Sequence, residues 1–166
     1  MKQKINFLAV SLVILIIDQA SKYWANVRLK SVDTLEVIPN FFRFTYALNR
    51  GVAFSMLADS RFEMKWVLAG ISTLAAAGVV YYLLKAHPEQ RLLKTSLSFL
   101  LAGITGNLID RVRLGEVIDF LDFHWYEKYT WPTFNVADSA ICVGAVLLAL
   151  EILKDEKQSR AQVSES

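Results

Sequence analysis

Five aspartates stand inside or beside long apolar runs: Asp18, Asp110, Asp119, Asp122 and Asp138. A carboxyl group in such a place can transfer protons in catalysis, relay ions, or tie helices together. Putting one in or near hydrocarbon costs on the order of 3 kcal/mol, so each needs a reason. Local reasons exist for several. Asp18 and Lys22 stand at i and i+4, acid first, the favourable order for an intrahelical ion pair. Asn135 and Asp138 have the spacing of a helix N-cap and its N3 partner. Asp110-Arg111 suits the interfacial end of a helix. Asn107, Asp110 and Arg111, however, fall at i, i+3 and i+4 and share one helical face. Lipid disfavours such a face, so it is expected to point into a helical bundle. His87 and His124 read as interfacial residues, with no metal-ligand spacing around either. Cys142, the only cysteine, lies in an apolar stretch and reads as a packing residue.

The elements that carry these residues are four apolar blocks. The first runs from about Ile5 to Ala25, the second is Trp66–Leu84, the third Thr95–Ile109 and the fourth Val136–Leu153. The blocks are too long for strands and do not alternate, which predicts helices. Trp66–Leu84 has no charged residue and matches the length needed to span a bilayer. A soluble bundle should show polar faces where the second and fourth blocks show none. Tyr23, Trp24, Trp66, Tyr81, Tyr82 and the run Trp125 to Trp131 border the blocks, as an interfacial aromatic belt does. Met1 to Lys4 followed by an apolar run resembles a signal peptide, but Asp18 to Lys22 is a poor cleavage context. A retained first helix is therefore expected.

Composition agrees. The chain has 166 residues, 54% hydrophobic and 20% charged, and its mean hydropathy is +0.35. That balance excludes disorder. The net charge is +2 without a basic tract, which gives nucleic-acid binding no support.

Four spans alternate in direction, so alternation alone brings Asp18, Asp110, Asp119, Asp122 and Asp138 to one membrane face. The short ends and the Lys85–Lys94 loop are denser in basic residues, which favours both termini in the cytoplasm and the acids at the outer face. In the first outer loop Phe42, Phe44 and Tyr46 alternate with Arg43 and Thr45, a strand signal. Asn49-Arg50-Gly51 predicts a turn and Val52-Ala53-Phe54 a return strand. A small β element on the membrane surface is expected. The second outer loop, 112–135, brackets Asp119 and Asp122 with apolar residues. The polar stretch after Lys154 reads as a frayed end.

Five motifs occur in order: Asp18-Gln19-Ala20-Ser21-Lys22, Asn49-Arg50-Gly51-Val52-Ala53-Phe54, Gly106-Asn107-Leu108-Ile109-Asp110-Arg111, Val117-Ile118-Asp119-Phe120 and Phe134-Asn135-Val136-Ala137-Asp138. Together they resemble the lipoprotein signal peptidases (signal peptidase II), bacterial intramembrane aspartic proteases. Departures fall at Val52, Ser55 and Ala102, none of them a proposed catalytic position. The resemblance implies one membrane all-α domain of four transmembrane helices, with an extracytoplasmic β-cradle and a short periplasmic helix. It implies an enzyme of the bacterial inner membrane that removes the signal peptide from lipid-modified prolipoproteins, cutting before the diacylglyceryl-modified cysteine. The catalytic dyad would be Asp119 and Asp138. Asp18, Lys22, Asn49, Gly51, Asn107, Asp110, Arg111 and Asn135 would bind substrate or support the site. No metal or organic cofactor is implied, and the chain would act as a monomer among membrane lipids.

Two carboxyls hydrolyse a peptide when one is ionised, to deprotonate water, and the other protonated, to polarise the carbonyl. A neighbouring pair shares a proton because both cannot ionise cheaply. The helix N-terminus beside Asp138 favours the charge there, leaving the proton on Asp119. An ion channel or transporter would spread polar groups through the membrane depth, whereas the second block has no charge and the fourth keeps its charges near its ends. An assembly protein using the acids as interhelical glue predicts that loss of either aspartate leaves function intact.

Overall fold

A computed structural model describes residues 2–51, 61–126 and 128–164. The expected strand at Val52-Ala53-Phe54 lies outside the described residues. The chain order is α1 (Lys2–Arg28), β1 (Thr34–Ile38), β2 (Phe42–Asn49), α2 (Arg61–Lys85), α3 (Arg91–Leu114), β3 (Val117–Trp125), β4 (Tyr129–Thr130) and α4 (Val136–Ser164). Four segments are long and apolar enough to cross a bilayer: Asn6–Arg28, Met64–Lys85, Arg91–Leu114 and Val136–Lys157. Each has 22 to 24 residues, against about 20 needed for the hydrocarbon core. Their outward side chains are apolar, with Leu74 75%, Val146 60% and Ile16 58% exposed. Lipid solvates such surfaces; water does not.

Helix α3 is the centre of the bundle and packs against α1, α2 and α4. Its seam with α4 depends on small residues. A side chain at Gly103 would collide with the Ala137 carbonyl oxygen and lie 2.7 Å from Ile141. Gly106 sits directly against the Asp18 carboxylate and would bring a Cβ within 3.2 Å of the Ala137 Cβ. Close backbone approach of this kind is the usual solution in lipid, where apolar bulk gives helices no reason to associate.

The strands form one antiparallel sheet in the order β1-β2-β3-β4. Ile118 and Phe120 on β3 pack with Ala25 and Leu29 at the end of α1, and Phe44, Tyr46 and Val136 close the cluster. Trp24 meets Phe44 edge-on with ring centroids 5.0 Å apart. This core fixes the sheet onto one end of the bundle.

Two parts differ from the sequence reading. The segment holding Asp119 and Asp122 is the nine-residue strand β3, because β2 supplies its pairing edge: Ala47 lies opposite Asp119 and Arg43 opposite Asp122. The stretch after Lys154 continues α4 to Ser164, since it holds no Gly or Pro and gains a Glu156–Arg160 pair at i and i+4. Among the described residues the loops between spans hold strands and turns and no short helix.

Candidate active site

Helix α4 begins with a reciprocal cap. Asp138 N donates to Asn135 Oδ1 at 2.9 Å, and Asn135 N donates to Asp138 Oδ2 at 3.2 Å. This satisfies two backbone groups that a helix start otherwise leaves without partners. Local spacing predicted that cap. The same two residues also do more. Asn135 Nδ2 donates to Asp119 Oδ1 at 2.7 Å, so one asparagine touches both Asp119 and Asp138. Asn107 Nδ2 donates to Asp138 Oδ1 at 2.7 Å. The strand β3 and the first turn of α4 thus bring the two predicted dyad carboxyls to one asparagine.

Asp119 receives a second donor, Asn49 Nδ2, at 2.9 Å. The turn after β2 holds that amide: Gly51 N donates to Asn49 Oδ1 at 2.8 Å, and Gly51 has φ +78°, a conformation side chains disfavour. Asp119 is 2% exposed. Burial pushes its carboxyl up to about 6, and the nearby Asp138 charge adds to the rise, against the bonds from Asn49 and Asn135.

Behind the pair lies a buried ionic group. Lys22 Nζ meets Asp18 Oδ2 and Asp110 Oδ2, each at 3.0 Å, and Asn107 Oδ1 at 2.9 Å. The i, i+4 reading found Asp18 but not Asp110, which comes from α3. Asp18 also accepts from Ala137 N at 2.8 Å, so α1 caps α4. Asp110 accepts from Ile118 N at 3.3 Å, tying α3 to β3.

Asn107 and Asp110 point into the bundle as predicted. Arg111, on the same predicted face, is half-buried, and its guanidinium makes no hydrogen bond or ion pair among the described residues. Gln19 was missed as a contributor: its amide donates to Asp18, Asp110 and the Gly106 carbonyl. Asn26, which accepts from the Tyr46 hydroxyl at 2.9 Å, was missed too. Asp18, Lys22 and Asn26 recur every four residues, a polar stripe on α1 that the sequence does display. Asp122, one of the five acids, stands apart in an ion pair with Arg43 at 2.6 Å.

Fold and site together define a four-span membrane protein with two adjoining carboxyls where its sheet meets one end of the bundle. Residues 10–154 match the family described as signal peptidase (SPase) II. The chain is 45% identical over 152 residues to a lipoprotein signal peptidase of Geobacter metallireducens, covering 92% of this chain and 93% of that one. It is 42% identical over 158 residues to a lipoprotein signal peptidase of Pseudomonas fluorescens, covering 95% and 93%. A solved bacterial membrane enzyme superposes with a TM-score of 0.79 at 32% identity, covering 92% of this chain and 90% of that one. The chain belongs to the signal peptidase II family and is a membrane protease.

Proposed function

We propose that this chain removes signal peptides from prolipoproteins by aspartic catalysis, cutting on the N-terminal side of a diacylglyceryl-modified cysteine. The observation that carries the reading is Asn135 donating to Asp119 with its side chain and to Asp138 with its backbone. Asp138, in the first turn of α4 with an N–H donor on each oxygen, acts as the ionised base. Asp119, buried and raised to about 6, is the acid of the pair and reacts from its protonated form. Asp138 takes a proton from water as the water oxygen bonds to the scissile carbonyl carbon. Asp119 gives its proton to the carbonyl oxygen. On collapse Asp138 returns its proton to the leaving nitrogen, the C–N bond breaks, and Asp119 recovers its own. The scheme uses only the two carboxyls and water. The names of the relatives support the substrate class. Arg111, charged and without a protein partner among the described residues, is assigned to the substrate. The enzyme works as a monomer in the inner membrane, with its site at the outer face and both termini in the cytoplasm.

The test mixes purified protein in detergent with a diacylglyceryl-modified precursor and with its unlipidated twin. Cleavage of the first alone is expected. Asp119→Asn and Asp138→Asn should each lower turnover by about a thousandfold or more while the protein still inserts. Turnover of both precursors would remove lipid recognition. Normal turnover by either variant would remove the dyad.

A further inference from the structure

We infer that Lys22 is a positioning residue for Asp138 and acts through the side-chain amide of Asn107; the inference rests on the basic role assigned to Asp138 above. An asparagine amide has an oxygen that only accepts and an NH2 that only donates. Which end meets Asp138 depends on what holds the other end. Lys22 offers only hydrogens, and its Nζ lies 2.9 Å from Asn107 Oδ1. Asn135 Nδ2 reaches the same oxygen at 3.2 Å. With donors on its oxygen, Asn107 must present its NH2 to Asp138, and it does so at 2.7 Å. Turning the amide over would set NH2 against an ammonium and a carbonyl oxygen against a carboxylate. Two bonds would become two repulsions.

Charge balance does not account for this contact. Two of the ammonium's three hydrogens face carboxylates, Asp18 and Asp110, which neutralise it. The third goes to a neutral amide. Lys22 is 2% exposed and Asn107 5%, so water does not compete for either group. Lys22 comes from α1, Asn107 from α3 and Asp138 from α4. The amide therefore passes the placement of a cation on one helix to a carboxyl on another.

The experiment measures kcat and KM of the full-length enzyme in detergent with a diacylglyceryl-modified precursor. Removing Lys22 alone would strand two buried acids, so the baseline is Asp110→Asn. The amide oxygen there takes the Oδ2 place and still accepts from Ile118 N, while the NH2 takes the Oδ1 place that faces Gln19. Adding Lys22→Met to that baseline removes the shorter of the two bonds to Asn107 Oδ1 and leaves the one from Asn135. The expected result is a loss of kcat of roughly ten- to hundredfold relative to Asp110→Asn, the worth of one hydrogen bond to a charged group, with KM within about twofold. Adding Lys22→Gln instead restores a neutral donor, and most of the lost kcat should return. In an Asn107→Leu background, Met and Gln at position 22 should give the same kcat, since nothing remains to be oriented. Equal kcat for the Met and Gln variants in the Asn107 background, or a further loss with Met in the Asn107→Leu background, overturns the inference. Rates are referred to the monodisperse fraction after size exclusion. Should the Met variant not fold, Gln against Lys in both Asn107 backgrounds gives the same cycle: a smaller kcat loss confined to the Asn107 background supports the role, and an equal loss in both overturns it. Asp138→Asn is assayed alongside. If it turns over normally, the reading of the site itself fails; if it is inactive while the Met variant keeps full kcat, only the positioning role fails.

Discussion

Asp119 is raised from the ordinary carboxyl range to about 6, by burial first; the Asn49 bond opposes the rise and the Asp138 charge adds to it. Between about pH 4 and 6 the folded chain therefore holds a proton that the unfolded chain has released. Stability falls wherever the folded state binds more protons, so this group's contribution declines as pH rises through that window and levels off above it. The size is on the order of 3 kcal/mol. Thermal unfolding in detergent from pH 4 to 7 checks it as a difference between proteins. Wild type should lose more stability across the window than Asp119→Asn. Asp138→Asn should keep most of the wild-type slope, because burial is the larger cause. Parallel curves for wild type and Asp119→Asn would contradict the assignment. Asp122 makes a useful contrast: an acid three positions along the same strand, it is held by Arg43 and the Thr45 hydroxyl, away from the pair.

At the scale of elements, the seam between α3 and α4 sets the position of Asp138. Gly103→Ala should push the start of α4 away, because the added carbon meets backbone rather than a flexible side-chain end. A destabilisation of about 1–3 kcal/mol is expected, with a loss of activity. Gly70 on α2 has nothing within 4 Å of the same position, so Gly70→Ala should be neutral or stabilise by up to about 1 kcal/mol. Melting curves of the two variants separate the cases; equal effects would mean that the seam is loosely packed. These elements were unequally legible. Run length revealed the four spans, alternation over Phe42–Tyr46 revealed β2, and the Asn135–Asp138 spacing revealed the cap, because each signal is local. Strand β1 was not read: Thr34-Leu35-Glu36-Val37 alternates for only four residues before Ile38 breaks the pattern, and all five residues of the strand are exposed. The bonds from Lys22 to Asp110 and from Asn107 to Asp138 join residues 88 and 31 positions apart, which no local period encodes. Alternation of the spans gave the common membrane face, and only the folded chain gave the partners.

The whole molecule has a polar end and an apolar barrel. The sheet, the proposed dyad and the ionic group gather where α1 and α3 end and α4 begins, while Tyr81 and Tyr82, 58% and 64% exposed, mark the opposite end of α2. The proposed orientation puts the sheet outside the cell. A fluorescent protein that matures only in the cytoplasm should therefore glow when fused after Ser166, and a phosphatase active only outside should be silent there. The reverse pattern would place the site on the inner face.

The buried triad also bears on how such a chain enters the bilayer during synthesis. Helix α1 leaves the ribosome before α3 and brings Asp18 and Lys22 together, one turn apart and 3.0 Å between charges, so the pair arrives self-neutralised. Asp110 arrives two helices later, when a cation is already waiting for it. The order of translation is thus also an order of assembly for this group, with Asp18 and Lys22 paired before Asp110 joins them.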